Sequence, residues 1–255
     1  MMRDENDFVT HFEELCLADR ILHGSDADGI GTYNEKRFHR IFKRCVTENA
    51  ECYEVRVGRY IADVVCDGRI TEIQTASFSK LEPKLRYYLD KTDYKVTVVL
   101  PLISEKKVIR ADRLTGEIRS VRRSPKRARA ADCLSHLYYL RELVGNPRLE
   151  VWVLLVKAEE YRYSERVRYR RTGAYECDLY PVGIDGQIRL CGIDDYRQFV
   201  PRELVGEEFD AKGYSRVTGM VGRTLYSALN TLYAIDLLSR RKEGNKYIYR
   251  YNTDM

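Results

Sequence analysis

The stretch Arg59–Leu81, "RYIADVVCDGRITEIQTASFSKL", decides the fold. Two runs rich in β-branched residues flank Asp67-Gly68, a strong signal for a two-residue type I′ hairpin loop. With those two residues as the loop, Cys66 faces Arg69, Val65 faces Ile70 and, counting back, Asp63 faces Glu72. Directly opposed residues on antiparallel strands hold their Cβ atoms about 4.5–5.5 Å apart. Side chains alternate along a strand, so Gln74 lies on the face of Glu72, opposite Ile61. Two carboxylates at that spacing repel, and a purely structural sheet seldom places like charges so. A hard divalent cation such as Mg²⁺ or Mn²⁺ removes the conflict, because it takes one or two carboxylates and leaves positions for water and phosphate oxygens. If Gly58-Arg59 is a second two-residue loop, Glu54 faces Asp63 from the other side, and three carboxylates form a row across three strands. The competing reading is a solvated surface pair. Ile61, Val65 and Ile70 share the face, which is therefore not simply polar.

Around this hairpin the pattern predicts helix, three strands, helix, strand. "NEKRFHRIFKRCVTENA" reads as a helix with Asn34 as N-cap and Phe38, Ile41, Phe42 and Cys45 as its buried stripe. "CYEVRV", "RYIADVVC" and "RITEIQTA" are the strands. "SKLEPKLRYYLDK" is a helix opened by a capping box of Ser79 and Glu82. "YKVTVVLPLI" is a near-continuous apolar run, the mark of a strand covered on both faces. An amphipathic helix, "VTHFEELCLADRILH", precedes this unit. After it come a hairpin in "KKVIRADRLTGEIRSVRR", a helix in "AADCLSHLYYLRELV", a long strand in "LEVWVLLVKAEEYRY" and an irregular β-rich segment to Leu190.

The order helix–three strands–helix–strand, with Asp on the second strand and Glu-x-Gln on the third, resembles the PD-(D/E)XK nuclease superfamily. "ADVV" stands for its Pro-Asp element with Ala62 in place of proline, and "EIQ" for its Glu-x-Lys element with Gln74 in place of lysine. The run looks closest to competence-type and Holliday-junction-like members. The resemblance covers roughly residues 30 to 105. It implies a restriction-endonuclease-like α/β fold, a mixed sheet flanked by helices, and metal-dependent cleavage of DNA. Asp63 and Glu72 would hold Mg²⁺ or Mn²⁺, Glu54 or Glu35 would complete the shell, and Gln74 would position water or a phosphate oxygen. Lys80 and Lys84 on the next helix are candidates to replace the missing lysine, although each reads first as part of a solvated helix face.

The end of the chain changes character. "FDAKGYSRVTG" reads as a short helix capped by Asp210, "MVG" as a turn and "RTLYSALNTLYAID" as a second helix with Leu225, Ala228, Leu229 and Leu232 on one stripe. "LLSRRKEGNKYIYRY" is two strands about a Gly-centred tip. This resembles the winged-helix family. The resemblance implies a DNA-binding surface of Arg223, Tyr226, Ser227, Asn230 and Thr231 on the second helix, with Arg241, Lys242 and Lys246 on the wing. The expected division is residues 1–200, a nuclease-like domain with a β-rich extension, and residues 201–255, the winged helix. Clustered cations at Arg119, Arg122, Arg123, Lys126, Arg127 and Arg129 suit phosphate contacts or form a solvated loop.

Charged residues make up 33% of the 255-residue chain, and no apolar run approaches the ~20 residues of a membrane span. The acidic N-terminus lacks the pattern of a signal peptide, so a cytoplasmic location is expected. The seven cysteines stand singly, with no C-x-x-C pair, and read as free, mostly buried thiols. His11, His23, His39 and His136 show no ligand spacing and read as structural or exposed. A net charge of +5 permits a nucleic-acid partner without requiring one. DNA is the expected partner, alongside a homodimer or protein partner. The rival function is a non-catalytic DNA-binding or regulatory protein that uses a nuclease-like fold as a scaffold.

Overall fold

A computed structural model describes residues 5–23, 32–75, 78–112, 115–164 and 176–252. Two helices, α1 (Glu5–His23) and α2 (Thr32–Val46), lead into β1 (Tyr53–Val57), β2 (Tyr60–Cys66) and β3 (Arg69–Ile73). There follow α3 (Glu82–Lys91), β4 (Lys95–Asp112), β5 (Ile118–Arg123), α4 (Cys133–Leu137), β6 (Leu149–Ser164) and β7 (Glu176–Leu190). The chain closes with β8 (Glu208–Asp210), α5 (Ala211–Thr218), α6 (Gly222–Ala234), β9 (Leu238–Glu243) and β10 (Lys246–Tyr251). The large sheet runs β1-β2-β3-β4-β6-β7, with β5 on the far half of β4, and the small sheet runs β8-β10-β9. The protein is thus α/β, with a mixed sheet flanked by helices: β4 is parallel to β3 and to β6, and the remaining pairs of the large sheet are antiparallel.

Both tight turns follow from backbone requirements. Asp67 and Gly68 have φ of 49° and 70°, the two positive values a type I′ loop needs, and they set the pairs Cys66–Arg69, Val65–Ile70 and Val64–Thr71. At Gly58-Arg59 only Gly58 is positive, at 59°, as a type II′ turn requires, and Val57 pairs with Tyr60.

The β4 run is covered on both faces, as its apolar continuity predicts. Val96, Val98, Leu100 and Leu102 face the core built with α3, α4 and α6, while Val99 faces α1 and α2 beside Ile73, Trp152 and Leu154. Pro101 sits inside this central strand. The Lys95 N–H and the Val99 carbonyl both bond toward the β2–β3 side, so Pro101, in phase with them, aims its donor-less nitrogen at the gap left where β3 ends and before β5 begins.

Three local expectations are corrected. The capping box is absent: residues 78–80 form a 3₁₀ turn that runs into α3, Leu81 is the N-cap without a side-chain cap, and Glu82 instead accepts from Arg86 Nε at 2.7 Å. The expected helix over 130–144 is broken into a 3₁₀ turn, the five-residue α4 and a second 3₁₀ turn. Its buried residues are Cys133, Leu134, Leu137, Leu140, Leu143 and Val144. Helix α2 begins at Thr32, ahead of the expected cap Asn34.

In the last segment, Asp210 accepts from the Gly213 N–H at 2.9 Å and caps α5, as expected, and Gly219 ends it at φ 70°. Leu225, Ala228, Leu229 and Leu232 are buried in the same core cluster as α4 and β4. The expectation of mostly buried cysteines holds for Cys16, Cys45 and Cys133, whereas Cys52 and Cys66 are half-buried and Cys191 is exposed. No described helix is long and apolar enough to cross a membrane.

Gly58 provides a test of this packing. A Cβ there would lie 2.0 Å from Tyr87 Oη, whereas at Gly68 nothing lies within 4 Å. Gly68→Ala should therefore cost about 1–2 kcal/mol for its left-handed backbone alone. Gly58→Ala should cost that plus a further ~1–3 kcal/mol of overpacking, and Gly58→Ala/Tyr87→Ala should cost less than the two single changes added together. Urea denaturation of the four proteins gives the comparison.

Candidate active site

The site forms where β2 and β3 part. In a continued antiparallel ladder the Ile73 N–H would bond the carbonyl of Ala62. Asp63 Oδ2 takes that donor instead, at 2.8 Å, one residue past the last ladder pair. From the α2 side His39 Nδ1 approaches Asp63 Oδ1 to 3.6 Å and Lys43 Nζ to 3.9 Å. Burial by itself raises the Asp63 pKa. The His39 ring, the Ile73 N–H and the Lys43 charge outweigh it and hold the carboxyl below the usual range.

Glu72 has the opposite balance. Its residue is 3% exposed, yet it carries a carboxylate. Lys84 Nζ donates to Oε2 at 2.6 Å and Tyr88 Oη to Oε1 at 3.2 Å, both from α3. Burial and the charge of Asp63 push its pKa up from 4.5 to about 7, against the pull of Lys84 and Tyr88. The two carboxyls therefore lie on the two sides of their ordinary value, a difference set by surroundings.

Glu54 joins the row. The pairs Tyr53–Val64 and Val55–Ala62 bracket it opposite Asp63. Its φ is 52°, uncommon for a residue other than glycine, and its carboxylate lies 3.0 Å from Lys43 Nζ. Lys43 thus stands between Glu54 and Asp63. Gln74 follows β3 directly, its N–H bonded to the Val99 carbonyl at 2.9 Å. Glu35 lies in α2, and its side chain is outside the described residues. Lys80 is exposed as expected, but Lys84 is not part of a solvated face. Among the described residues no group of three or more His, Cys, Asp or Glu side chains is placed to hold a metal ion.

His39, Lys43 and Tyr88 were missed as site residues in the sequence. For the first two a signal existed: Glu35, His39 and Lys43 recur at four-residue steps along one face of α2. Tyr88 follows Lys84 by the same step on α3.

The expected nucleic-acid residues fall into two groups. Arg122, Arg123 and Lys126 are exposed. Arg123 pairs with Lys107 on β4, nine residues beyond the Val98 that pairs with Glu72, so it lies roughly 30 Å along the strand from the carboxylates. Arg123 Nε is 3.5 Å from Glu105, Arg119 is paired with Asp112, and Arg129 donates to the Thr218 carbonyl at 2.7 Å. On α6, Arg223 and Tyr226 are exposed and Asn230 is half-buried. Thr231 corrects the expectation of exposure: it is fully buried, its hydroxyl 2.8 Å from the Leu134 carbonyl, because that side of α6 docks on α4. The cations expected on a wing, in the β9–β10 hairpin, are partly neutralised. Arg241 Nη2 is 2.9 Å from Glu208 and 3.2 Å from Glu243, and Lys246 Nζ is 3.6 Å from Asp210.

The raised pKa of Glu72 has a signed consequence. The folded state holds a proton that the unfolded state releases between pH 4.5 and about 7, so the contribution of Glu72 to stability is greatest below pH 4.5 and is lost as pH rises through 7. The stability of the wild type relative to Glu72→Gln should therefore fall across that window, by an amount on the order of 1 kcal/mol per pH unit. Chemical denaturation of both proteins at pH 5, 6, 7 and 8 measures it, and parallel curves would remove the assignment.

Comparison with known proteins adds kinship. The chain is 30% identical over 167 residues to an uncharacterized protein of Treponema pallidum (strain Nichols), a match covering 64% of this chain and 65% of the relative. No solved structure matches. A family model described as "Domain of unknown function (DUF8091)" matches residues 36–191, which contain both carboxylates and both lysines of the site, and the chain belongs to that family.

Proposed function

We propose that this protein is a divalent-metal-dependent DNA endonuclease of the PD-(D/E)XK type, cytoplasmic, and targeted to DNA by a winged helix formed by residues 201–255. The observation that carries the reading is the contact of Lys84 Nζ with Glu72 Oε2 at 2.6 Å, beside Asp63. A lysine from α3 thus reaches the Glu of the EIQ element, in which Gln74 takes the place of the lysine that the resemblance expects. Two further features support it: the element order α2-β1-β2-β3-α3-β4, with β4 parallel to β3, and the left-handed backbone at Glu54 beside the carboxylates.

The donor set fits a hard cation. Two carboxylates of adjacent strands are the protein ligands Mg²⁺ commonly takes, with water and phosphate oxygens filling the rest. Bound there, the ion supplies charge for the phosphodiester transition state and acidifies a water. Asp63 is ionised and fixed by the Ile73 N–H, ready to ligate. Glu72 gives up its proton near neutrality. Lys84 can then turn from Glu72 toward a phosphate oxygen, and Gln74 orients water or phosphate through its amide. Glu54 extends the shell once Lys43 is displaced. Arg223, Tyr226 and Asn230 on α6, with Arg241 and Lys246 on the wing, contact the DNA.

A second reading has its own observation. Lys84 already compensates Glu72, and Lys43 already lies between Glu54 and Asp63. A fold whose carboxylates are balanced internally needs no cation, which suits a DNA-binding or regulatory scaffold.

Two experiments separate the readings. Incubated with DNA and Mg²⁺ or Mn²⁺, the wild type should cleave, Asp63→Ala and Glu72→Ala should abolish cleavage, and Lys84→Ala should reduce it about 10²-fold or more. Melting curves test the metal without a substrate. At about ten times Kd, Mn²⁺ should stabilise the wild type by about 1.4 kcal/mol and Asp63→Asn by little. The gain should grow from pH 6 to pH 8 as Glu72 ionises. Equal responses of wild type and Asp63→Asn would leave the scaffold reading in place.

A further inference from the structure

The exposed face of α6 carries Arg223, Tyr226, Asn230 and Tyr233 at steps of three, four and three, so they form one stripe. Its tyrosines reach solvent: Tyr226 is 57% exposed and Tyr233 38%. The wing adds Tyr247, 45% exposed. Arg240 joins helix to wing. Its guanidinium lies 4.0 Å from the centre of the Tyr233 ring and 4.5 Å from that of Tyr247, and it donates to Asn230 Oδ1 at 2.9 Å.

Reading duplex DNA in the major groove needs free guanidinium and amide forks that reach base edges. Here the forks are committed. Arg240 and Asn230 hold each other, and Arg223 donates to Tyr139 Oη at 3.1 Å. Two of the three wing cations that would grip a duplex backbone, Arg241 and Lys246, face Glu208, Glu243 and Asp210. What the surface offers is aromatic faces. In a duplex the faces of the bases are covered by their neighbours, whereas unpaired bases leave them free to stack on tyrosine. Arg223 and Arg240 form no ion pair with a carboxylate among the described residues, which leaves two positive charges on the stripe for phosphates.

We infer that the α6–wing stripe binds single-stranded nucleic acid, or an unpaired segment within a duplex, by stacking bases on Tyr226, Tyr233 and Tyr247. This rests on the reading of residues 201–255 as the nucleic-acid-targeting part of the protein and names its ligand.

The test is fluorescence anisotropy on the full chain, in chelator so that the carboxylate site takes no part. The probes are thymine and uracil oligonucleotides of about twenty nucleotides and a duplex of the same length. The single strands should bind more tightly than the duplex. Each of Tyr226→Ala, Tyr233→Ala and Tyr247→Ala should weaken single-strand binding about 5- to 150-fold, and the matching Phe variants should retain it, because a ring and not a hydroxyl makes the contact. The thymine and uracil arms distinguish DNA from RNA as the source of the unpaired bases. Tighter duplex binding that the tyrosine changes leave untouched would overturn the single-strand inference and keep the targeting role. Phe variants that lose as much as Ala variants would overturn stacking. Binding of no probe would overturn both this inference and the targeting role, while the carboxylate site keeps its own test in the melting response to Mn²⁺.

Discussion

The bond from the Ile73 N–H to the Asp63 carboxylate is the point on which the site turns. A backbone donor inside a protein must find an acceptor, and here a side chain takes the place of the next ladder carbonyl. This ends the β2–β3 pairing while β3 continues alongside β4, where the Gln74 N–H bonds to the Val99 carbonyl. It also fixes a negative charge at the parting of the strands. That charge is the second cause, after burial, of the raised pKa of Glu72. One polar substitution in a ladder thus sets strand divergence and the different proton affinities of the two carboxyls.

The two helices that flank this point compensate it from opposite sides. Helix α2 brings His39 and Lys43 to Asp63, and α3 brings Lys84 and Tyr88 to Glu72. Neither helix is held by these contacts. Phe38, Ile41, Phe42 and Cys45 anchor α2 in one core, and Leu85, Tyr88 and Leu89 anchor α3 in the other. Apolar burial carries the cost of bringing charged groups together, since ion pairs seldom repay their own desolvation. Tyr88 belongs to both systems, its ring in the core and its hydroxyl on Glu72.

The C-terminal segment shows the same division on a smaller scale. One face of α6 is buried against α4, with Thr231 bonded into it, and the opposite face presents exposed tyrosines. Cations that look available in the sequence, Arg241 and Lys246, are paired across the small sheet with acids more than thirty residues away in the chain. Arg223 and Arg240 have polar partners but, among the described residues, no carboxylate.

What short-range physics controls is legible along the chain. The demand for positive φ at Asp67-Gly68 fixed the hairpin, and a side-chain period of two then carried the register as far as Val64 and Thr71, one residue short of Asp63 and Glu72. The Asp210 cap, the stripes of α2 and α6 and the doubly covered β4 were legible for the same reason, since each depends on neighbours within a few residues. The rest comes from packing between elements distant in the chain. That Lys84 rather than Lys80 meets Glu72, that Lys43 stands between two carboxylates, and that Thr231 is buried all depend on how helices dock across the sheet and on one another. The break of the helix at α4 left no such local pattern, since its buried positions Cys133, Leu137, Leu140 and Val144 also suit an α-helix. Contacts between elements distant in sequence leave no local pattern, because the charge of a side chain is written in the chain and the identity of its partner is not.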